Sequence, residues 1–138
     1  MKKRILVVED EPHILRLLCL QMSKTYRPLP ASNGNQAVEL AASEIPDLIM
    51  MDIAMPGMDG LEACRLIRDN PETRQIPMLA ATARVSRREL EEIQNSGFDD
   101  VIMKPFGYKD LVPHIKALLR MKEPKPSFSQ QGPESKTL

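Results

Sequence analysis

The chain has 138 residues, a length that fits one ordinary domain and leaves little room for a second. Its 19 basic and 19 acidic side chains cancel, which removes the electrostatic case for direct nucleic-acid binding, and a hydrophobic fraction of 42% is enough to fill a core. The two cysteines are too few for a disulfide framework or a zinc site, so each is expected to be a small apolar side chain in a core.

Nothing in the sequence indicates secretion or membrane insertion. The first apolar run, residues 5–8, ends at an acidic cluster and is too short for the core of a signal peptide. No stretch approaches the roughly 20 consecutive apolar residues that a membrane span needs. We therefore expect a cytoplasmic protein without membrane contact.

Short apolar runs alternate with amphipathic segments from the N-terminus onward. Runs that are hydrophobic on both faces are typical of strands in a parallel sheet covered by helices. Four of them predict strands, at residues 5–8, 48–51, 78–81 and 101–103. A weaker run at residues 27–31 contains Pro28 and Pro30. Because proline cannot donate a hydrogen bond to a neighbouring strand, this fifth strand is predicted at an edge of the sheet.

The first three helices are predicted at residues 12–24, at residues 35–44 after the turn signal Asn33-Gly34, and from Asp59 onward. Asp59 and Glu62 have the spacing of a capping pair. The apolar faces of these helices are predicted to contain Ile14, Leu15, Leu18 and Met22 in the first, Ala37, Leu40 and Ala41 in the second, and Leu61, Cys64 and Ile67 in the third.

The last two helices carry their own start and stop signals. Ser86 and Glu89 have the capping spacing again, and Gly97 predicts the end of the fourth helix. The fifth helix is predicted to bury Leu111, Ile115 and Leu118 or Leu119. Pro113 interrupts its first turns, so we expect this helix to start late or to bend there.

Five repeats of a strand followed by a helix predict an α/β fold with a doubly wound parallel sheet, because each right-handed crossover places a helix on one face. The folded domain is expected to cover residues 1–121. Residues 122–138 are rich in Lys, Pro, Ser and Gln and lack periodicity, which is typical of a flexible tail or a truncated linker.

Polar residues stand at the carboxyl ends of the predicted strands, where open α/β sheets bind their ligands. Singly, each has an ordinary explanation, such as an acidic first turn of a helix. Together they place several carboxylates in one crevice, where they repel one another unless a cation offsets them. Mg²⁺ prefers such carboxylates together with water and phosphate oxygens. The residues are Glu9, Asp10 and Glu11 after the first strand, Asp52 at the end of the third, Thr82 at the end of the fourth and Lys104 after the fifth.

Five segments, in a fixed order and spacing, form a specific pattern: Ile5-Leu6-Val7-Val8-Glu9-Asp10-Glu11-Pro12, Asp47-Leu48-Ile49-Met50-Met51-Asp52, Met55-Pro56-Gly57-Met58-Asp59-Gly60, Thr82-Ala83 and Lys104-Pro105-Phe106. By these segments the sequence resembles a response regulator receiver domain of two-component signalling, and the likeness covers residues 4–121. The resemblance implies a flavodoxin-like (βα)5 sandwich with strand order 2-1-3-4-5. It also implies a phosphorelay function that no spacing argument supplies by itself.

By this resemblance, Asp52 accepts a phosphoryl group from a phosphohistidine donor in a Mg²⁺-dependent reaction. The ion would be bound by Asp10, by Asp52 and by the backbone carbonyl of Ala54, and Glu9 would contribute through a water molecule. Most family members have aspartate where this chain has Glu9, and the longer side chain is expected to alter the hydration of the ion.

The remaining implied roles concern the phosphoryl group. Thr82 would hydrogen-bond to it, and Lys104 would pair with Asp52 and then with a phosphoryl oxygen, with Pro105 following a cis peptide bond. The domain is then no classical enzyme, although it catalyses its own phosphorylation and dephosphorylation at Asp52. Its expected partners are a sensor histidine kinase or a histidine phosphotransfer protein, and a downstream protein at the face formed by the fourth helix, the fifth strand and the fifth helix.

Two other classes are disfavoured by particular residues. An aspartyl-nucleophile phosphatase needs a second aspartate two residues after the nucleophile, where this chain has Ala54. A flavodoxin needs a phosphate-binding loop after its first strand, where Glu9, Asp10 and Glu11 would repel the flavin phosphate. His13 adjoins this acidic cluster but is expected to be exposed on the first turn of a helix, so the donor histidine should belong to another protein.

Two questions concern output. A single-domain regulator is favoured, and the alternative is the N-terminal receiver fragment of a longer regulator whose effector domain is missing. Val101 occupies the position where many receivers have a mobile aromatic ring, so we expect the signal to leave through residues 83–88 and the helix after them. Ala54 and Arg84 are expected to flank the path of the water that removes the phosphoryl group.

Overall fold

The computed structural model describes residues 1–83 and 85–122, so Arg84 and the tail predicted at residues 123–138 lie outside the described part. Strands and helices alternate along the chain, and each strand lies within one residue or so of its predicted position. The strands are β1 (Arg4–Val8), β2 (Arg27–Ala31), β3 (Leu48–Asp52), β4 (Met78–Thr82) and β5 (Asp100–Met103), and the helices are α1 (Pro12–Met22), α2 (Gly34–Glu44), α3 (Gly60–Asp69), α4 (Arg87–Asn95) and α5 (Tyr108–Lys122).

The five strands form one parallel sheet in the order β2-β1-β3-β4-β5, which confirms the predicted fold and strand order. Strand β2 lies at an edge, as its two prolines require. The backbone N–H of Arg27 donates to the carbonyl of Lys3, at 2.8 Å, on the β1 side. The backbone polar groups of successive strand residues point to opposite sides. Those of Pro28 and Pro30 therefore point away from β1, toward the free edge of the sheet.

Two apolar clusters cover the two faces of the sheet. On one face, alternate residues of β1, β3 and β4 pack with α2, α3 and α4, and Cys64 and Ile67 are buried there. On the other face, the intervening residues pack with α1 and α5, including Leu18, Met22 and Ile115. The strands are therefore apolar on both sides, as their sequences predicted. Among the described helices, none has both the length and the apolar character that crossing a bilayer requires.

The predicted buried face of α1 is wrong at one position. Leu18 and Met22 are buried and Leu15 is partly buried, but Ile14 is 42% exposed. Leu17 and Leu20 are also exposed on this helix. Because α1 carries large apolar side chains around most of its circumference, the periodicity alone did not fix which of them face the sheet.

The two predicted capping pairs, at α3 and α4, are present, and Asn33 of the predicted turn also caps α2. Asn33 and Asp59 accept hydrogen bonds from the backbone N–H groups of Gln36 and Glu62, at 2.8 and 2.9 Å. Ser86 and Glu89 form a complete capping box at the start of α4. Each cap satisfies backbone donors that a helix leaves unpaired at its N-terminus, which explains why the starts of these helices could be predicted closely.

We expected α5 to start late or to bend at Pro113, and the late start is wrong. The helix begins at Tyr108 and continues through Pro113. Leu111 and Ile115, on either side of the proline, are both fully buried. Their packing against the sheet holds the helix together across the one backbone hydrogen bond that a proline removes.

Gly60 lets the start of α3 approach the end of β3 closely. A Cβ atom at this position would lie 2.6 Å from the carbonyl oxygen of Asp52 and 2.9 Å from the Cα of Ile53. We expect Gly60→Ala to lower the free energy of unfolding by roughly 1–3 kcal/mol, because rigid backbone atoms would have to move. Urea denaturation measures the change.

Gly107→Ala is the matched control. The atom nearest to a Cβ added at this position is a side-chain oxygen of Asp110, 3.7 Å away, which is an ordinary contact distance. This control should retain nearly full stability. Equal stability of the Gly60→Ala variant and the unaltered protein would contradict the close approach.

Candidate active site

Three carboxylates converge at the carboxyl ends of β1 and β3. Glu9, Asp10 and Asp52 each offer an oxygen atom, and these atoms lie within 4.8 Å of one another. Glu9 and Asp52 are buried, at 4% and 5% exposure, whereas Asp10 is more exposed. The structure thus brings together the acidic residues that the sequence analysis selected, apart from Glu11.

Glu11 has a different role. Its side chain is the N-cap of α1 and accepts a hydrogen bond from the backbone N–H of His13 at 2.6 Å. Its own backbone N–H donates to Oε2 of Glu9 at 3.1 Å. His13 is exposed, as predicted.

Lys104 reaches this cluster from the loop after β5. Its Nζ lies 3.1 Å from Oδ2 of Asp52 and 3.3 Å from Oε1 of Glu9. The predicted pairing with Asp52 is therefore present, and the peptide bond before Pro105 is cis, as the resemblance implied. The contact with Glu9 was not predicted. The sequence gives no signal for it, because the two residues are far apart in the chain and meet only through the strand order.

Burial and charge shift the proton affinities in this cluster. Burial raises the pKa of the Glu9 carboxyl, the nearby Asp52 carboxylate adds to the shift, and the hydrogen bond from Glu11 and the Lys104 ammonium offset only part of it. For Lys104, burial alone would lower the pKa, but the hydrogen bond and charge of Asp52, followed by those of Glu9, raise it above its usual value. The raised pKa of Lys104 marks a site with an excess of negative charge, which a further cation would stabilise, whereas the raised pKa of Glu9 comes mainly from burial.

The chemistry of these donors fits a small divalent cation. Mg²⁺ takes oxygen ligands, usually one or two carboxylates with water and phosphate oxygens, and the three grouped carboxylates supply that class of donor. Ala54, whose carbonyl was predicted as a further ligand, stands two residues after Asp52 in the loop between β3 and α3. This loop is held by a hydrogen bond of 2.9 Å from the Gly60 N–H to the Ile53 carbonyl.

Thr82 is the last residue of β4 and is 5% exposed. Strand β4 lies beside β3, with Asp52 paired to Ala81, so the threonine stands one residue beyond the partner of Asp52. Its carbonyl accepts a hydrogen bond of 2.7 Å from the Lys104 N–H, which joins the end of β4 to the start of the loop after β5. Three adjacent strands, β3, β4 and β5, therefore bring Asp52, Thr82 and Lys104 together at the carboxyl ends of the sheet.

Val101 lies on β5 and is partly buried against the cluster formed with α2, α3 and α4. Sequence reasoning missed a polar pair beside it, in which Nδ1 of His114 lies 2.6 Å from Oδ2 of Asp100. The pair joins α5 to β5. Arg84, which was expected to flank the attacking water, lies outside the described residues.

Comparison with known proteins gives a consistent result. A family model described as the response regulator receiver domain matches residues 5–116. The phosphate regulon transcriptional regulatory protein PhoB of Klebsiella pneumoniae is 38% identical over 125 residues, which cover 90% of this chain and 55% of that protein. The chain thus spans about half the length of this relative.

Two solved structures are similar in fold and sequence. The signal receiver domain of a signal transduction histidine kinase from Syntrophus aciditrophicus has a TM-score of 0.82 and 34% identity, covering 91% of this chain and 96% of that one. The receiver domain of a sensor histidine kinase from Pseudomonas aeruginosa has a TM-score of 0.77 and 29% identity, covering 87% and 99%. The latter holds a magnesium ion coordinated in its active site cleft.

Proposed function

The chain belongs to the response regulator receiver domain family, and from this premise we propose that Asp52 accepts a phosphoryl group from a phosphohistidine donor in a Mg²⁺-dependent reaction. The observation that carries the proposal is the buried Asp52 carboxylate at a strand end, 3.1 Å from the Lys104 ammonium and grouped with Glu9 and Asp10. A carboxylate that attacks phosphorus needs its own charge and the phosphoryl charge offset.

In the proposed transfer, a carboxylate oxygen of Asp52 forms a bond to phosphorus while the phosphorus–nitrogen bond of the donor breaks. The donor imidazole leaves with the electron pair of that bond. Lys104 is already paired with Oδ2 of Asp52, so its ammonium is close enough to pair with an oxygen of the phosphoryl group after transfer. The Thr82 hydroxyl would donate a hydrogen bond to another phosphoryl oxygen, which links the chemical event to the end of β4.

Asp10, Asp52 and the Ala54 carbonyl would hold Mg²⁺, with Glu9 acting through a bound water molecule. When bound, the ion offsets the negative charge that accumulates as the carboxylate and the phosphoryl group approach each other. The grouping of three carboxylate oxygens within 4.8 Å supports this assignment.

The proposed partners are a sensor histidine kinase or a histidine phosphotransfer protein as donor, and a downstream protein at the face formed by α4, β5 and α5. Because Val101 has no ring to move, output is proposed to pass through residues 83–88 and α4, as a population shift. We propose that the domain acts in the cytoplasm, either alone or as the receiver part of a longer regulator. The mass of the full-length protein from its native source tests that choice.

The central experiment is labelling with a small acyl phosphate such as acetyl phosphate, with and without Mg²⁺. We expect intact-mass spectrometry to show the addition of one phosphoryl group only in the presence of the ion. Borohydride reduction followed by peptide mapping should place it at Asp52. Attachment at another residue, or equal labelling without Mg²⁺, would overturn the proposal.

We expect Thr82→Ala to retain labelling but to weaken the response that follows it, because the hydroxyl is proposed to bind the phosphoryl group after transfer. Amide hydrogen exchange with and without beryllofluoride measures that response. In the unaltered protein, protection should change within residues 83–96, and in the variant this change should shrink. A change confined to β5 in the unaltered protein would refute the proposed route of the signal.

A further inference from the structure

Glu9 is fixed more firmly than a residue that only faces a hydrated ion would need to be. Its side chain is 5% exposed, directly after the end of β1. Oε2 accepts the hydrogen bond from the Glu11 N–H at 3.1 Å, and Oε1 lies 3.3 Å from Nζ of Lys104. Both carboxylate oxygens are therefore engaged, one by the backbone and one by the lysine.

Lys104 depends on this arrangement. A lysine side chain has many rotamers, and holding its ammonium at one point costs conformational entropy. Its side chain is 30% exposed, so solvent competes for it. Two carboxylates hold the ammonium from different sides, Asp52 at the end of β3 and Glu9 directly after β1. The Glu9 contact limits the positions that Lys104 can take when it faces Asp52.

We infer that Glu9 is a positioning residue for Lys104, in addition to any part it plays near the metal. It presents the ammonium to Asp52 before the phosphoryl group arrives. This inference rests on the proposed function, since the use of a positioned Lys104 is the transfer to Asp52. It assigns to the longer glutamate side chain a task that an aspartate at the same position would perform poorly.

Side-chain length separates this task from the effect of charge. Aspartate at position 9 keeps the negative charge but is one methylene shorter, about 1.5 Å less reach. From the same backbone we expect it to keep at most one of the two contacts, with the Glu11 N–H or with the Lys104 ammonium. Glutamine keeps the length and an oxygen that accepts a hydrogen bond, but loses the charge. A role in positioning therefore predicts opposite behaviour of Glu9→Asp and Glu9→Gln.

The first measurement needs neither metal nor phosphodonor. The ¹H and ¹³C resonances of the Lys104 ε-methylene, assigned with a Lys104→Arg variant, report where the ammonium is held. We expect Glu9→Asp to shift these resonances toward those of a free lysine. Glu9→Gln should leave them closer to their original positions. Glu72→Asp is the matched control, because it makes the same shortening at an exposed position between α3 and β4, away from the acidic cluster, and should leave them unchanged.

The second measurement is the rate of phosphorylation by acetyl phosphate as a function of Mg²⁺ concentration. For Glu9→Asp we expect the rate at saturating Mg²⁺ to fall about tenfold, the size of one lost charge-assisted hydrogen bond, with little change in the Mg²⁺ requirement. For Glu9→Gln we expect mainly a higher Mg²⁺ requirement. In a Lys104→Met background, Glu9→Asp should have no further effect on the rate.

Unshifted Lys104 resonances in Glu9→Asp would overturn the inference, as would a full rate at saturating Mg²⁺ or an additive effect in the Lys104→Met background. Failure of the proposed function looks different. In that case the unaltered protein would take up no phosphoryl group on Asp52, whatever the Lys104 resonances show.

Discussion

Replacing Asp52 with asparagine should abolish phosphoryl incorporation from acetyl phosphate. The amide has nearly the same shape as the carboxylate, but it lacks the nucleophilic oxygen and the charge that hold Lys104 at 3.1 Å. We expect labelling to fall to the detection limit, because only one other described carboxylate is buried and in contact with Lys104. That carboxylate belongs to Glu9, and a backbone N–H already holds it. Intact-mass spectrometry of the Mg²⁺-loaded protein measures it.

Asp59→Asn is the matched control for this experiment. Asp59 is exposed and caps α3, and asparagine caps a helix about as well as aspartate. The control should label like the unaltered protein. If Asp52→Asn still takes up one phosphoryl group while remaining folded, the nucleophile has been assigned to the wrong residue.

Removing the divalent cation should have an effect of similar size. With EDTA present, the carboxylates of Glu9, Asp10 and Asp52 repel an approaching phosphoryl group, and Lys104 alone does not balance them. Labelling should fall to background and return when excess Mg²⁺ is added. In Asp10→Asn, which loses a proposed ligand, the Mg²⁺ concentration for half-maximal labelling should rise by at least about 10–100-fold.

Asp69→Asn serves as the control for that variant, because Asp69 is exposed at the far end of α3. It makes the same chemical change at a distance from the cluster and should leave the Mg²⁺ requirement unchanged. Labelling in EDTA at the rate seen with Mg²⁺, or an unchanged requirement in Asp10→Asn, would contradict the proposed ligand set.

The sequence was most informative where one local signal decided the structure. Apolar runs located the strands, capping residues such as Asp59 and Ser86 located helix starts, and two prolines placed β2 at the edge. These signals work because each concerns backbone groups within a few residues. The exposure of Ile14 and the early start of α5 were missed, because packing against the sheet decides both.

The site was predictable in part for the same reason. Residues at the carboxyl ends of adjacent parallel strands must come together, so Asp10, Asp52 and Lys104 could be selected from their positions alone. Contacts between particular atoms could not. The ion pair of Lys104 with Glu9 depends on side-chain length. Elsewhere in the fold, Arg68 donates hydrogen bonds to the carbonyls of Gly97 and Ile76, at 2.9 and 2.6 Å, and both acceptors lie in loops whose sequences have no periodicity.

The outward positions of Pro28 and Pro30 on β2 bear on how the protein behaves at high concentration. A free sheet edge is a template on which another chain can add a strand, and this is a common start of aggregation. Along β2, both outward positions offer a carbonyl acceptor and no N–H donor. A second copy meeting this edge would therefore leave its own acceptors unpaired. The two prolines protect this side of the sheet against self-association, independently of anything that happens at Asp52.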